Sequence, residues 1–157
     1  MSLGRRVLGW LIVAVGLLAP GVAATICWAP FLASTRLRAL FSRLPPFDSM
    51  IRTYVVVGLT ASLPYVLSIG VVVMTAGPNT IWGPRILNAT LLVTLCYVVG
   101  IPLLCVVGLP RAGIDWDPTG YGLSTWALVT AGAIWYATLF VVPLTILGLV
   151  LSSPGGW

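Results

Sequence analysis

The chain has 157 residues, 59% of them hydrophobic and 7% charged, with a mean hydropathy of +1.09. A soluble domain carries about 25% charged residues, so the 8 Arg and 3 Asp cannot coat a water-exposed surface of this size, and a water-soluble enzyme is excluded. His is absent, which removes an imidazole base, a His-containing triad and a His-ligated metal.

Four charge-free apolar stretches follow one another: Val7–Ala33, Tyr54–Ala76, Ile86–Leu109 and Thr125–Leu151. Each is long enough to cross a hydrocarbon core of about 30 Å as a helix. Lipid leaves the backbone to satisfy its own hydrogen bonds, and continuous rather than alternating apolarity favours helices over a β-barrel. The expected fold is therefore all-α: a four-helix transmembrane bundle in the cell membrane, forming a single integral domain over residues 1–157.

In the first stretch, Arg5 and Arg6, the apolar Val7–Leu18 and then Pro20 and Gly21-Val22-Ala23 also have the layout of a cleavable secretory signal. The continued apolarity of Ala24–Ala33 favours a first span kinked at Pro20. A re-entrant hairpin turning at Pro20-Gly21 is a further alternative, because it would place seven of the eight Arg on one side. With simple crossings, the Arg count favours the first and third loops in the cytoplasm and both termini outside.

Between the first two stretches, Leu37, Leu40, Phe41 and Leu44 share one face of a short helix that Pro45-Pro46 terminates. It is expected to lie in the headgroup layer, its apolar side in the acyl boundary, with Arg36, Arg38, Arg43 and Arg52 facing lipid phosphates. Such a surface serves as a lipid-binding or docking site, or as an ordinary topology-setting anchor.

The second stretch holds eleven Val, Leu or Ile residues between Val55 and Met74. These favour insertion by roughly 3–7 kcal/mol before polar residues are deducted. Gly58, Ser62 and Gly70 line up along it as a small-residue packing stripe; Ala127 and Ala131, then Thr138 and Thr145 at heptad spacing, do so on the fourth. Every stretch contains proline, namely Pro20 and Pro30, Pro64, Pro102 and Pro143. Their kinks serve packing, or the hinges of a transporter. Asn88, early in the third stretch, is the carboxamide within a span, available to link helices or line a polar pocket. Cys27, Cys96 and Cys105 read as small buried apolar residues.

The segment Ile114–Gly122 places Asp115, Asp117, Thr119 and Gly120 at the first positions of a calcium-loop template. The twelfth position, which should be a bidentate Glu, is Trp126. Asp-Pro-Thr-Gly reads first as a turn.

The Arg-only, Lys-free and Glu-free usage, together with the Ile114–Gly122 loop, resembles small multipass membrane proteins of GC-rich genomes, halophilic archaea included. That resemblance implies no activity and assigns no functional residue.

No buried acid or His is available for proton coupling, and phosphate-cradling and dinucleotide motifs are missing. The basic residues sit beside spans rather than in a nucleic-acid patch. No catalytic residue, metal or cofactor is expected. The leading expectation is a non-catalytic structural or accessory subunit, partnered by lipid and by its own copies or another membrane protein. The alternatives are a small permease or channel for a neutral solute and, last, an interfacial lipid enzyme using Asp115, Asp117 and the Arg cluster.

Overall fold

A computed structural model of the chain describes Gly16 and residues 18–153. Arg5, Arg6 and the start of the first apolar stretch, Val7–Val15, lie outside the described residues. Within them the fold is all-α: α1 (Leu18–Ala33), α2 (Thr35–Arg43), α3 (Met50–Met74), α4 (Trp82–Arg111) and α5 (Leu123–Val150). Helices α3, α4 and α5, at 25, 30 and 28 residues, are each long and apolar enough to cross a membrane. Each starts before the charge-free stretch that predicts it, taking in Arg52 on α3 and Arg85 on α4, because a helix needs hydrogen bonds rather than apolarity to extend.

Helix α1 runs without a turn through Pro20-Gly21 and tightens to a 3-10 turn over Ala29–Ala33, after the bulky Trp28. The hairpin alternative at Pro20-Gly21 is therefore corrected. The change of direction comes later, at the extended residue Ser34, where α2 departs at 119° to α1.

Proline is tolerated inside α3 and α5, at Pro64 and Pro143. Around Pro102, α4 widens into two π-helical segments, Cys96–Gly100 and Leu104–Gly108. Such wide turns absorb a missing amide donor without ending the helix. α4 closes in a Schellman arrangement: the Ile114 N–H donates to Leu109 C=O at 2.9 Å and the Gly113 N–H to Pro110 C=O at 3.0 Å. Gly113 adopts φ +82°, a conformation that favours glycine.

The helices meet where side chains are small. α1 crosses α3 with Gly21 against Ser62 and Gly58 against Thr25; a Cβ on Gly21 would come to 2.5 Å from Ser62 Oγ. α4 crosses α5 at Gly83, Gly148 and Ser152, so closely that a Cβ on Gly148 would stand 2.8 Å from Leu87 Cγ. Gly70 has open space around it, Ala131 and Thr138 are exposed, and Thr145 is half-buried. Within the chain, α5 instead buries Val129, Gly132, Ala133, Tyr136, Ala137 and Phe140. The heptad spacing of Ala131, Thr138 and Thr145 selects a stripe about half a turn away from that face.

Aromatic rings fill the centre shared by α1, α3, α4 and α5. Tyr65 stacks on Phe140 with centroids 4.7 Å apart, Tyr97 on Tyr136 at 6.1 Å and Trp28 on Tyr54 at 5.7 Å. Tyrosine buries a large apolar body but needs a partner for its hydroxyl. Helix carbonyls and one threonine supply them. Tyr136 donates to Gly58 C=O at 2.6 Å, Tyr54 to Thr25 C=O and Tyr97 to Ala61 C=O, while Tyr65 pairs with Thr94 Oγ1 at 3.0 Å. Between helices that span a membrane each such cross-helix bond would be worth roughly 0.6–2 kcal/mol.

Candidate functional site

The densest polar arrangement lies at one end of the molecule, where α2, the 112–122 loop and the start of α5 converge. It begins with a tryptophan anchor. After the Gly113 reversal, Trp116 folds back into the apolar end of the molecule, 2% exposed, and its indole N–H donates to Cys105 C=O at 2.7 Å. That insertion carries Asp117 inward until it is 4% exposed.

A buried carboxylate is tolerable only if its oxygens are satisfied. The Thr119 amide and hydroxyl donate to Oδ1 at 2.9 and 2.7 Å, and the Thr125 hydroxyl donates to Oδ2 at 2.6 Å. The Asp-Pro-Thr-Gly turn expected from the sequence is present, closed by Gly120 N–H to Asp117 C=O at 3.2 Å, with Gly120 at φ +85°. Burial raises the Asp117 carboxyl, but the Thr125 and Thr119 bonds and the nearby Arg36 charge together outweigh it and hold it below the usual carboxylate range.

Arg36 completes the arrangement from the far side. Its guanidinium donates to Ser124 Oγ at 2.8 Å and to Thr125 Oγ1 at 3.4 Å. This residue, expected among lipid phosphates, is thus engaged within the protein, whereas Arg38, Arg43 and Arg52 are exposed. The apolar face of α2 departs from expectation for a related reason. Leu37, Leu40 and Phe41 are 2%, 5% and 2% exposed, packed with Tyr54, Cys105, Trp116 and Val129 rather than turned to an acyl boundary. α2 therefore closes one end of the molecule, where Tyr54 of α3, Cys105 of α4 and Val129 of α5 take up its apolar face.

Neither carboxylate of the loop stands free. Asp115, exposed, accepts the Tyr121 hydroxyl at 2.7 Å, and that same Tyr121 Oη accepts the Trp116 amide at 3.0 Å. Burial and the adjacent Asp115 carboxylate hold the Tyr121 phenol above its usual range. Thr119 uses its hydroxyl on Asp117, so the calcium-loop spacing produces an internal hydrogen-bonded turn. Among the described residues no group of three Cys, Asp or Glu converges on a common point, and every buried side-chain polar atom has a partner.

Arg36 and the 115–125 segment were each visible in sequence, but their meeting across 88 residues was not. Nothing in the local pattern distinguishes an arginine that faces lipid from one that faces a loop. Beneath α2 lies a second feature the sequence did not mark, an almost wholly apolar cavity of about 230 Å³ bounded by all five helices.

No curated protein and no solved structure matches this chain. A family model described as "Domain of unknown function (DUF8162)" matches residues 8–155. Since that match takes in nearly the whole sequence, the chain belongs to the DUF8162 family.

Proposed function

We propose that this chain is a multi-pass integral protein of the cell membrane, a four-helix transmembrane bundle that acts without catalysis as a structural or accessory subunit. What carries the membrane placement is the outward character of three long helices. Leu67 and Val71 on α3, Leu91, Leu95 and Val99 on α4, and Ile146 and Leu149 on α5 are all exposed. In water such continuous apolar surface would drive association; in lipid it is ordinary. Among the described residues Arg36, Arg38, Arg43, Arg52 and Arg111 belong to the end closed by α2 and Arg85 to the other; with Arg5 and Arg6, expected on the side of Arg85, the count of five against three supports a cytoplasmic closed end.

The structural role is favoured over a permease because the shared centre is filled by stacked aromatic rings whose hydroxyls are engaged by helix carbonyls and Thr94. A neutral solute would need those rings to part. An interfacial enzyme is disfavoured because both oxygens of Asp117 are occupied and shielded. The exposed small residues Ala127 and Ala131 offer α5 a close-approach surface for another membrane helix.

The test is extraction of native membranes at alkaline pH, followed by cross-linking and co-purification in mild detergent, with proteoliposome flux measured in parallel. The expected outcome is retention in the membrane pellet, a discrete complex with itself or another membrane protein, and no flux above empty liposomes. Release into the supernatant, a strictly monomeric particle or solute flux overturns the reading.

A further inference from the structure

We propose that the cavity beneath α2 is a binding site for an alkyl chain, which enters sideways from the bilayer past Leu104. This inference rests on the membrane placement above. The cavity, about 230 Å³, is lined by Phe41 of α2 and Leu44 just after it, Val57 of α3, Ile101 and Leu104 of α4, and Tyr136 of α5. Tyr136 turns its hydroxyl away to Gly58 C=O, so the space presents carbon almost throughout.

Water is a poor occupant, because a buried water needs two to four polar partners. An apolar cavity of about 150 Å³ takes up benzene; on the same scale this one holds roughly nine carbons, too few for a whole lipid but enough for the end of one chain. The way in is visible in the lining. Most of it is buried or half-buried, but Leu104 is 55% exposed on the outer face of α4, a face that the proposed membrane placement turns to hydrocarbon. The most abundant apolar groups at that opening are the chains of the bilayer itself.

The shape of α4, widened on either side of Pro102, is compatible with the assignment. Tyr97 lines the cavity from the first π segment and Leu104 and Cys105 from the second, with Ile101 between them. Wide turns of this kind recur at functional sites, where they draw a helix off the line that closest packing would impose. Arg43 and Arg111 are exposed, one and two residues from the lining residues Leu44 and Leu109. A phospholipid whose chain occupies the cavity would therefore keep its phosphate near guanidinium groups.

The full chain, reconstituted in vesicles, is photolabelled with phosphatidylglycerol, phosphatidylcholine or free fatty acid, each bearing a diazirine at the chain terminus. Labelled residues are then mapped by peptide mass spectrometry. The expected result is label concentrated on cavity residues such as Phe41, Ile101 and Cys105, from whichever carrier supplies the chain. It should exceed label on the outward residues Leu91 and Leu95 at least fivefold. Ala133→Phe, which fills the space from α5, and Leu104→Trp, which narrows the entrance at an exposed position, should each lower cavity labelling about tenfold. Should Ala133→Phe misfold, Leu104→Trp and the wild-type map still decide. Label spread evenly over the outward faces, or cavity labelling unchanged in folded Leu104→Trp, overturns the proposal. Release of the chain from membranes at alkaline pH would remove the membrane placement as well, whereas a retained chain labelled only outside removes the cavity assignment alone.

Discussion

The two ends of the molecule are held by different means. At the closed end, a polar loop is drawn inward by Trp116, and Asp117, Thr119, Thr125, Ser124 and Arg36 satisfy one another beneath and beside α2. At the other end the 75–81 connection stays outside, with Met74 at the end of α3 87% exposed and Ile81 70% exposed. There α4 and α5 are joined by the close approach of Gly83 to Gly148 and Ser152, and the loop is tied by Arg85 to Thr75 C=O at 3.1 Å. One end depends on partners for buried polar atoms, the other on the absence of side chains. Substitutions that preserve size should therefore damage the first, and substitutions that add a single methyl should damage the second.

Several changes would break or sharpen that contrast, each read by thermal or denaturant unfolding in detergent micelles. Trp116→Ala removes the anchor and leaves a void, and should destabilise by about 3–5 kcal/mol; a loss below 1 kcal/mol would show that the loop is held without it. Gly83→Ala forces Ser152 and the Gly148 carbonyl apart and should lose about 1–3 kcal/mol, whereas the same change at Gly70, with open space around it, should not destabilise.

Thr125→Val keeps the shape but strips a donor from Asp117, and should lose about 1–3 kcal/mol at neutral pH. The pH dependence has a definite sign. The folded carboxyl lies below its usual value, so Asp117 stabilises above the ordinary carboxylate range and loses that contribution as pH falls through its lowered folded value. In Thr125→Val the acid-dependent loss should be smaller and complete at a higher pH than in wild type, and in Asp117→Asn this part of the acid dependence should vanish. Tyr136→Phe, which releases the Gly58 carbonyl at the centre, should lose roughly 0.6–2 kcal/mol. Met74→Ala at the open end should change stability by less than about 0.5 kcal/mol.

The periodicity of Leu37, Leu40, Phe41 and Leu44 was enough to place α2 and to identify its apolar side, because a 3.6-residue repeat is a local property. It did not say what that side would meet, since lipid and protein interior both accept leucine. The small-residue stripe on α3 was legible at Gly58 and Ser62, which lie against Thr25 and Gly21 of α1, but it ran past its useful length at Gly70. On α5 the buried face carries large aromatics beside Gly132 and Ala133, so a search for small residues alone settled on the opposite stripe.

Composition and the charge-free stretches thus determined by themselves that the chain is helical, where its long helices run, and that its outer faces are apolar, because these follow from each residue's own preference for water or hydrocarbon. Only the tertiary structure decided that Arg36 meets Thr125 close to Asp117, that α2 roofs the molecule, and that a cavity remains beneath it. Those outcomes depend on which surfaces distant segments present to one another, and a side chain's preference for a medium does not specify its neighbour.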